Sequence, residues 1–431
     1  MMTRKTPNVP VPEVKPVERD DYITQIRKYK VITPLYGGGE EPAQADSITV
    51  VRGTEVRGHL RFWWRATRGG AFGGNLEKMK RREEEIWGSP GGKGKPGPSK
   101  VTITVVNTSS GKIVTRVKNI KGQLVYYGDP GSPYGYVAFP LRKTDDHPAG
   151  SVREDVEFSI EIKYPKDSTD DVLAALWGWE TFGGIGARTR RGFGAIQCMS
   201  IDNQSVSPKL SHDIEKNIRE DLKPYQGNWP KGVPHLSTNL RFVITPAKSS
   251  PSQAWETLFN ALHNFRQKDA RYSKKTGNKS AFGMSRWPEA NAIRDAFGLS
   301  PQFPAGVPNV LIKKFPRAAF GLPIGFEMHH DKSIEERPEL QGANHDRLAS
   351  PLILRPLACA GDKAVGLVAI LDWELIDSDE LYTPPGGLVL KDAPDNPKVQ
   401  SSIKPAEAKQ IPVLNGKTDV LQAFLDYLKG I

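Results

Sequence analysis

The sequence predicts an α+β protein of two domains, and three observations carry that reading. The chain has 431 residues, more than one ordinary domain holds. The tetrapeptide Val-Ile-Thr-Pro closes a strand-like run twice, at Val31–Pro34 and at Val243–Pro246, about half a chain apart. Each copy is followed by a segment of helical periodicity. A hydrophobic content of 38% supplies the cores such domains need.

In chain order, the first 21 residues are rich in proline and charge and are expected to be a disordered tail, with no apolar core of a secretory signal. The first domain is expected over 22–200, a connector over 201–236 and the second domain over 237–431. Proline cannot donate to a ladder, so each Val-Ile-Thr-Pro strand stops there or lies at an edge. A helix is expected from Thr54 to Arg68, and a mobile basic loop over "SPGGKGKPGPSK" (89–100). Another helix starts after Ser168 and runs over 169–182 into "GGIGARTRRGFGAI" (183–196), whose end reads as a strand. In the second half, Ser250 and Gln253 have capping-box spacing and Pro251 suits a first helical position. The helix over 250–267 then buries Trp255, Leu258, Phe259, Leu262 and Phe265 as one stripe.

The chemistry follows from charge and spacing. A formal charge of +11 and a pI of 9.4 favour a polyanionic partner. No run of about 18 apolar residues exists, so no membrane span and no membrane partner are expected; with two cysteines, a reducing cytoplasm is the simplest location. Cys198 and Cys359 are too few for a disulfide framework or a cysteine zinc site. The glycine-rich segment is not a nucleotide loop. Phosphate loops lead from a strand into a helix, whereas this one leaves a helix, and its Gly184-x-Gly186 is followed three residues later by Thr189. No Walker GxxxxGK[ST] loop is present.

The arginines point to a string of phosphates. Arg57, Arg61, Arg65 and Arg68 fall at i, i+4, i+8 and i+11, an arc of roughly 80° on the first helix. Either carboxylates from another element neutralise them or a polyanion does. Arg188, Arg190 and Arg191 crowd the glycine-rich segment, where Gly184 and Gly186 would admit a backbone closely. A second basic patch over 268–298 interleaves Lys274, Lys275 and Arg286 with Tyr272, Phe282 and Trp287, a pattern suited to single strands. Trp287 is either a stacking platform or a buried anchor. His329-His330-Asp331 lacks zinc-ligand spacing and reads as a surface group; His59, beside the arginine stripe, is the one histidine placed for acid–base work. No catalytic residue, metal or cofactor is assigned.

Four stretches resemble the RAMP superfamily of CRISPR RNA-binding proteins and, within it, the first-numbered subunits of Cmr (type III-B) effector complexes. They are "ITPLYGGG" (32–39), "VVRGTEVRGHLRFWWRAT" (50–67), "WETFGGIGARTRRGFGAI" (179–196) and "SRWPEANAIRDAFG" (285–298). "FGLPIGF" (320–326) and "RLASPLILRP" (347–356) extend the likeness. The resemblance implies two tandem ferredoxin-like (RRM-like) RAMP domains with inserted loops. It implies a noncatalytic RNA-binding subunit in antiviral defence, near the 3′ end of the guide, with guide (CRISPR) RNA, target RNA and other RAMP subunits as partners. The RNA-binding residues are then expected to be Arg57, Arg61, Arg65, Arg68, Gly184, Gly186, Arg188, Arg190, Arg191, Lys274, Lys275 and Arg286. The alternative is a guide-processing endoribonuclease of the same superfamily, with His59 as its acid or base.

Overall fold

A computed structural model describes residues 20–37, 46, 48–92, 94, 96–267, 285–303, 308–328, 331, 334–374 and 383–431. Residues 1–19 of the expected tail lie outside these.

The first half runs β1 (Tyr22–Val31), β2 (Leu35–Tyr36), α1 (Gly53–Arg68), α2 (Leu76–Trp87), β3 (Thr102–Val114), β4 (Arg116–Lys118), β5 (Leu124–Tyr126), β6 (Val152–Pro165), α3 (Thr169–Phe182), β7 (Ile196–Ile201) and β8 (Gln204–Ser205). Its sheet is antiparallel, with β1 between β6 and β7 and with β3 on the far edge of β6. Without the insertions, the elements β1, α1, β3, β6, α3 and β7 form a βαββαβ unit of ferredoxin-like order. Side chains alternate along β6, so Val156, Phe158, Ile160 and Ile162 all enter the core. Helices α1 and α3 cover that core. Gly178 lets them approach, since a Cβ there would sit 3.2 Å from the Cβ of Trp63.

Over 201–236 the chain forms α4 (Ile214–Leu222) and lays Trp229 on the end of α1, where a Cβ on Gly70 would meet the indole at 2.7 Å.

The second half contains β9 (Arg241–Ile244), α5 (Pro251–Gln267), α6 (Glu289–Ala296), β10 (Ile324–Gly325), β11 (Glu339–Gly342), β12 (Leu352–Cys359), β13 (Lys363–Ile370), β14 (Leu388–Lys391), β15 (Lys398–Val399), α7 (Pro405–Ala408) and α8 (Val420–Lys429). Among the described residues its central sheet has three strands, ordered β12-β13-β9, and β10-β11-β14-β15 form a separate sheet. The stripe expected on α5 is buried in full, and Ser250 Oγ accepts the Gln253 N–H at 3.2 Å. The Gln253 side chain meets Ser249 Oγ at 2.7 Å, so it does not complete the expected capping box.

The repeated Val-Ile-Thr-Pro has a shared physical use. Thr33 Oγ1 accepts the Ala195 N–H at 2.8 Å, and Thr245 Oγ1 accepts the Gly366 N–H at 3.0 Å. In each half a buried threonine hydroxyl satisfies a neighbouring backbone donor at the strand end, where proline ends the ladder.

The halves share cores rather than merely touching. Tyr29, Phe158 and Trp179 cluster with Phe242, Ile353 and Leu367, and Phe193 clusters with Trp255 and Leu354. Arg355, fully buried on β12, donates from Nη2 to the carbonyls of Glu180 (2.8 Å) and Ile196 (2.6 Å). Burial pulls its guanidinium down to about 9, against the opposing pull of Glu180.

Candidate nucleic-acid interface

The glycine-rich segment leaves α3 at Gly183, folds into a 3-10 turn over Thr189–Arg191 and enters β7. Its glycines are required by the protein's own packing. Gly194 has φ of 58°, and a Cβ there would overlap the Ile185 carbonyl oxygen. Gly192 has φ of 84°, and its Cβ would stand 2.5 Å from Cδ1 of Trp255. At Gly184 and Gly186 an added Cβ would meet the Gly194 and Tyr36 carbonyl oxygens at 2.7 and 2.6 Å. The close approaches these glycines permit are to protein atoms.

That packing presses the turn onto the second half and aims its arginines along the seam. Arg190 donates to the Ser350 carbonyl and lies over the ring of Phe62 at 5.5 Å. Arg191 donates from Nη2 to the Phe320 carbonyl at 3.3 Å. Arg188 lies over Phe139 at 4.9 Å. The receiving Phe320 and Ser350 belong to the two C-terminal stretches that carried the family likeness. Among the described residues none of the three arginines meets a carboxylate, and Nε of Arg188 and Nη1 of Arg191 are buried without a hydrogen-bond partner. Burial lowers the guanidinium of Arg188 and of Arg190, and takes that of Arg191 to about 9, with Arg266 and the neighbouring arginines adding to it. The turn is therefore a half-buried cationic cluster without an internal counter-charge.

The stripe on α1 is differently placed. Glu83 of α2 accepts from Arg61 Nε at 2.7 Å and from Arg65 Nη1 at 2.6 Å. Asp171 of α3 accepts from Arg68 Nε at 3.3 Å, Arg82 Nη2 at 2.8 Å and Trp64 Nε1 at 2.8 Å. Arg57 keeps a buried, unpartnered Nε. The α1 face that meets the glycine-rich turn carries Glu55, His59 and Phe62, and is rotated roughly 120° from the stripe. There the Gly186 N–H donates to Glu55 Oε1 at 2.6 Å, and His59 Nε2 lies 3.8 Å from the same oxygen. These residues, with Arg52, Thr54 and Ala187, line an open cleft of about 450 Å³. The two arginine sets thus flank α1 on different faces.

In the second basic patch, Lys274, Lys275, Tyr272 and Phe282 lie outside the described residues. Arg286 donates to the Asn264 carbonyl at 2.8 Å. Trp287 is a buried anchor, donating from Nε1 to the Phe265 carbonyl at 3.1 Å. His329 and His330 also lie outside the described residues, while Asp331 pairs with Arg294. Among the described residues no group of three or more His, Cys, Asp or Glu side chains is placed to hold a metal ion, and no helix is long and apolar enough to cross a membrane.

Glu83 and Asp171 were not legible as partners. Asp171 reads in sequence as a first-turn acid, and its pairing with Arg68 spans 103 positions.

The RAMP superfamily model matches residues 28–197, which hold the end of β1, all of α1 and the whole glycine-rich turn. The chain is 26% identical over 276 residues to the CRISPR system Cmr subunit Cmr1-1 of Pyrococcus furiosus, covering 58% of this chain and 74% of that protein. It is 27% identical over 181 residues to Cmr1-2 of the same organism, covering 40% of this chain and 93% of that protein. The apo crystal structure of Cmr1 from Pyrococcus furiosus superposes with a TM-score of 0.50 at 17% identity, over 86% of this chain and 94% of that one. The turn that joins α3 to β7 lies within the matched segment together with α1, β3, β6 and α3, and over residues 28–197 this chain is similar to the RAMP superfamily.

Proposed function

We propose that this chain is a noncatalytic RNA-binding subunit of a type III-B CRISPR (Cmr) ribonucleoprotein complex. In that role it contacts guide and target RNA near the guide 3′ end, beside other RAMP subunits, in antiviral defence. The likeness to Cmr1-1 and Cmr1-2 supports the assignment to such a complex. The observation that carries the RNA-binding reading is the cluster of Arg188, Arg190 and Arg191, half-buried with no carboxylate among the described residues. Desolvated cations without a counter-charge are unfavourable, and a phosphodiester supplies both the charge and acceptor oxygens in fork geometry. Gly184 and Gly186 shape the turn. Arg57 adds a further cation, and the second basic patch in the sequence, with Lys274, Lys275 and Arg286, is proposed to supply further phosphate contacts. Arg61, Arg65 and Arg68 share their charge with Glu83 and Asp171 and contribute less.

RNA affinity measured from low to high salt tests this. Each phosphate contact on a single strand contributes about 0.7 to the slope of log affinity against log salt. Arg190→Ala is expected to lower the slope by about that amount. An unchanged slope in a folded Arg190→Ala protein overturns the site.

One observation favours a second reading, endoribonuclease activity: His59 stands beside Glu55 in the open cleft at Gly186. Labelled guide and target RNA incubated with purified protein, with and without Mg²⁺, should remain intact. Cleavage that vanishes in His59→Ala would favour the enzyme.

A further inference from the structure

The second half contributes a cation, Arg266, to the same seam, and the first half sets the rings of Tyr136 and Phe139 beside it; none of the three lies in a motif read from the sequence. Arg266, in the last turn of α5, donates from Nη1 to the Tyr136 hydroxyl at 3.2 Å and lies over the ring of Phe320 at 5.2 Å. Its Nε is buried without a partner, and no carboxylate pairs with it among the described residues. The neighbouring Arg317 has an acid of its own, the buried Glu289 at 3.1 Å. Arg191 reaches the carbonyl of the same Phe320 whose ring Arg266 covers, so the two guanidinium groups converge from opposite halves. Around them are aromatic faces. Phe139 is 52% exposed and carries Arg188 over its ring. Tyr136 stacks on the exposed ring of His263 at 4.5 Å.

We infer that Arg266, Phe139 and Tyr136 join Arg188 and Arg191 in one single-stranded RNA site that spans both halves of the chain. Three converging cations without an acid call for a phosphate between them. An exposed aromatic beside them suits a base, which an acidic protein surface does not supply. The inference rests on the RNA-binding reading above and adds to it the second half of the site and a stacking contact. The strand crosses the seam, with its phosphate on Arg188, Arg191 and Arg266 and a base against Phe139.

The test uses the full chain with a fluorescein-labelled polyuridine strand, and with inorganic polyphosphate as a ligand lacking bases. Arg266→Gln is expected to weaken both ligands and to lower the salt slope by about 0.7 for RNA. Arg266→Lys should recover most of the affinity. Phe139→Leu is expected to weaken RNA about tenfold, within the range for loss of one stacked base, and to leave polyphosphate binding unchanged. If Arg188→Ala weakens RNA while folded Arg266→Gln and Phe139→Leu bind as wild type, the two-halved site is wrong and the RNA-binding reading stands. If all three bind as wild type, both fall. Displacement of RNA by polyglutamate at matched charge, unaffected by Phe139→Leu, would overturn the inference in favour of an acidic protein partner.

Discussion

Trp255, buried on α5 of the second half, donates its indole Nε1–H to the backbone carbonyl of Arg191 at 2.7 Å. Its ring also meets Phe193 edge-on at 4.8 Å and stacks on Tyr134 at 5.4 Å. The turn that presents the arginines is thus held by a side chain from the other half of the molecule. Trp255→Phe, which loses the donor, should lower stability by about 1 kcal/mol. Trp255→Ala should lower it by about 3–5 kcal/mol, because a large cavity opens between the halves. Urea denaturation followed by far-UV circular dichroism measures both.

Two glycines of the matched segment should respond in opposite ways to alanine. At Gly194 a Cβ would overlap the Ile185 carbonyl oxygen in a left-handed backbone conformation, so Gly194→Ala is expected to lose more than about 2 kcal/mol. Gly58, exposed within α1 with nothing within 4 Å of an added Cβ, should gain up to about 1 kcal/mol as alanine. Thermal melts of the two variants beside wild type decide it.

Glu83 serves two arginines through one oxygen, with side chains of Arg61 and Arg65 that are 35% and 33% exposed. Glu83→Ala should lower stability by about 1–3 kcal/mol, less than for a fully buried pair because water screens both guanidinium groups. It should also steepen the salt dependence of RNA binding, since two cations lose their internal acid. A slope equal to that of wild type would mean that RNA does not approach this face of α1.

Arg355 bonds two carbonyls across the seam from a fully buried position. Arg355→Ala should cost about 2–4 kcal/mol, combining a cavity with two acceptors left unpaired. If its role is to join the halves, the variant should also broaden or split the single unfolding transition expected of shared cores.

The local framework is legible in the order and spacing of the residues. The period of α5 placed Trp255, Leu258, Phe259, Leu262 and Phe265 on one buried face, and Ser250 marked where that helix starts. Thr33-Pro34 and Thr245-Pro246 marked the strand ends, and the order of helix, glycines and strand around Gly183–Ile196 excluded a nucleotide loop. Which arginines keep an unneutralised charge depends instead on long-range packing. Helical periodicity reports the face a side chain occupies, but it says nothing of which distant element meets that face. Arg61 and Arg65 reach Glu83, Arg68 reaches Asp171, and the glycines of the turn accommodate Tyr36 and Trp255. Arg188, Arg191 and Arg266 converge because α5 of one half packs beneath the turn of the other. Those contacts join residues that chain closure brings together, and no spacing in the sequence encodes them.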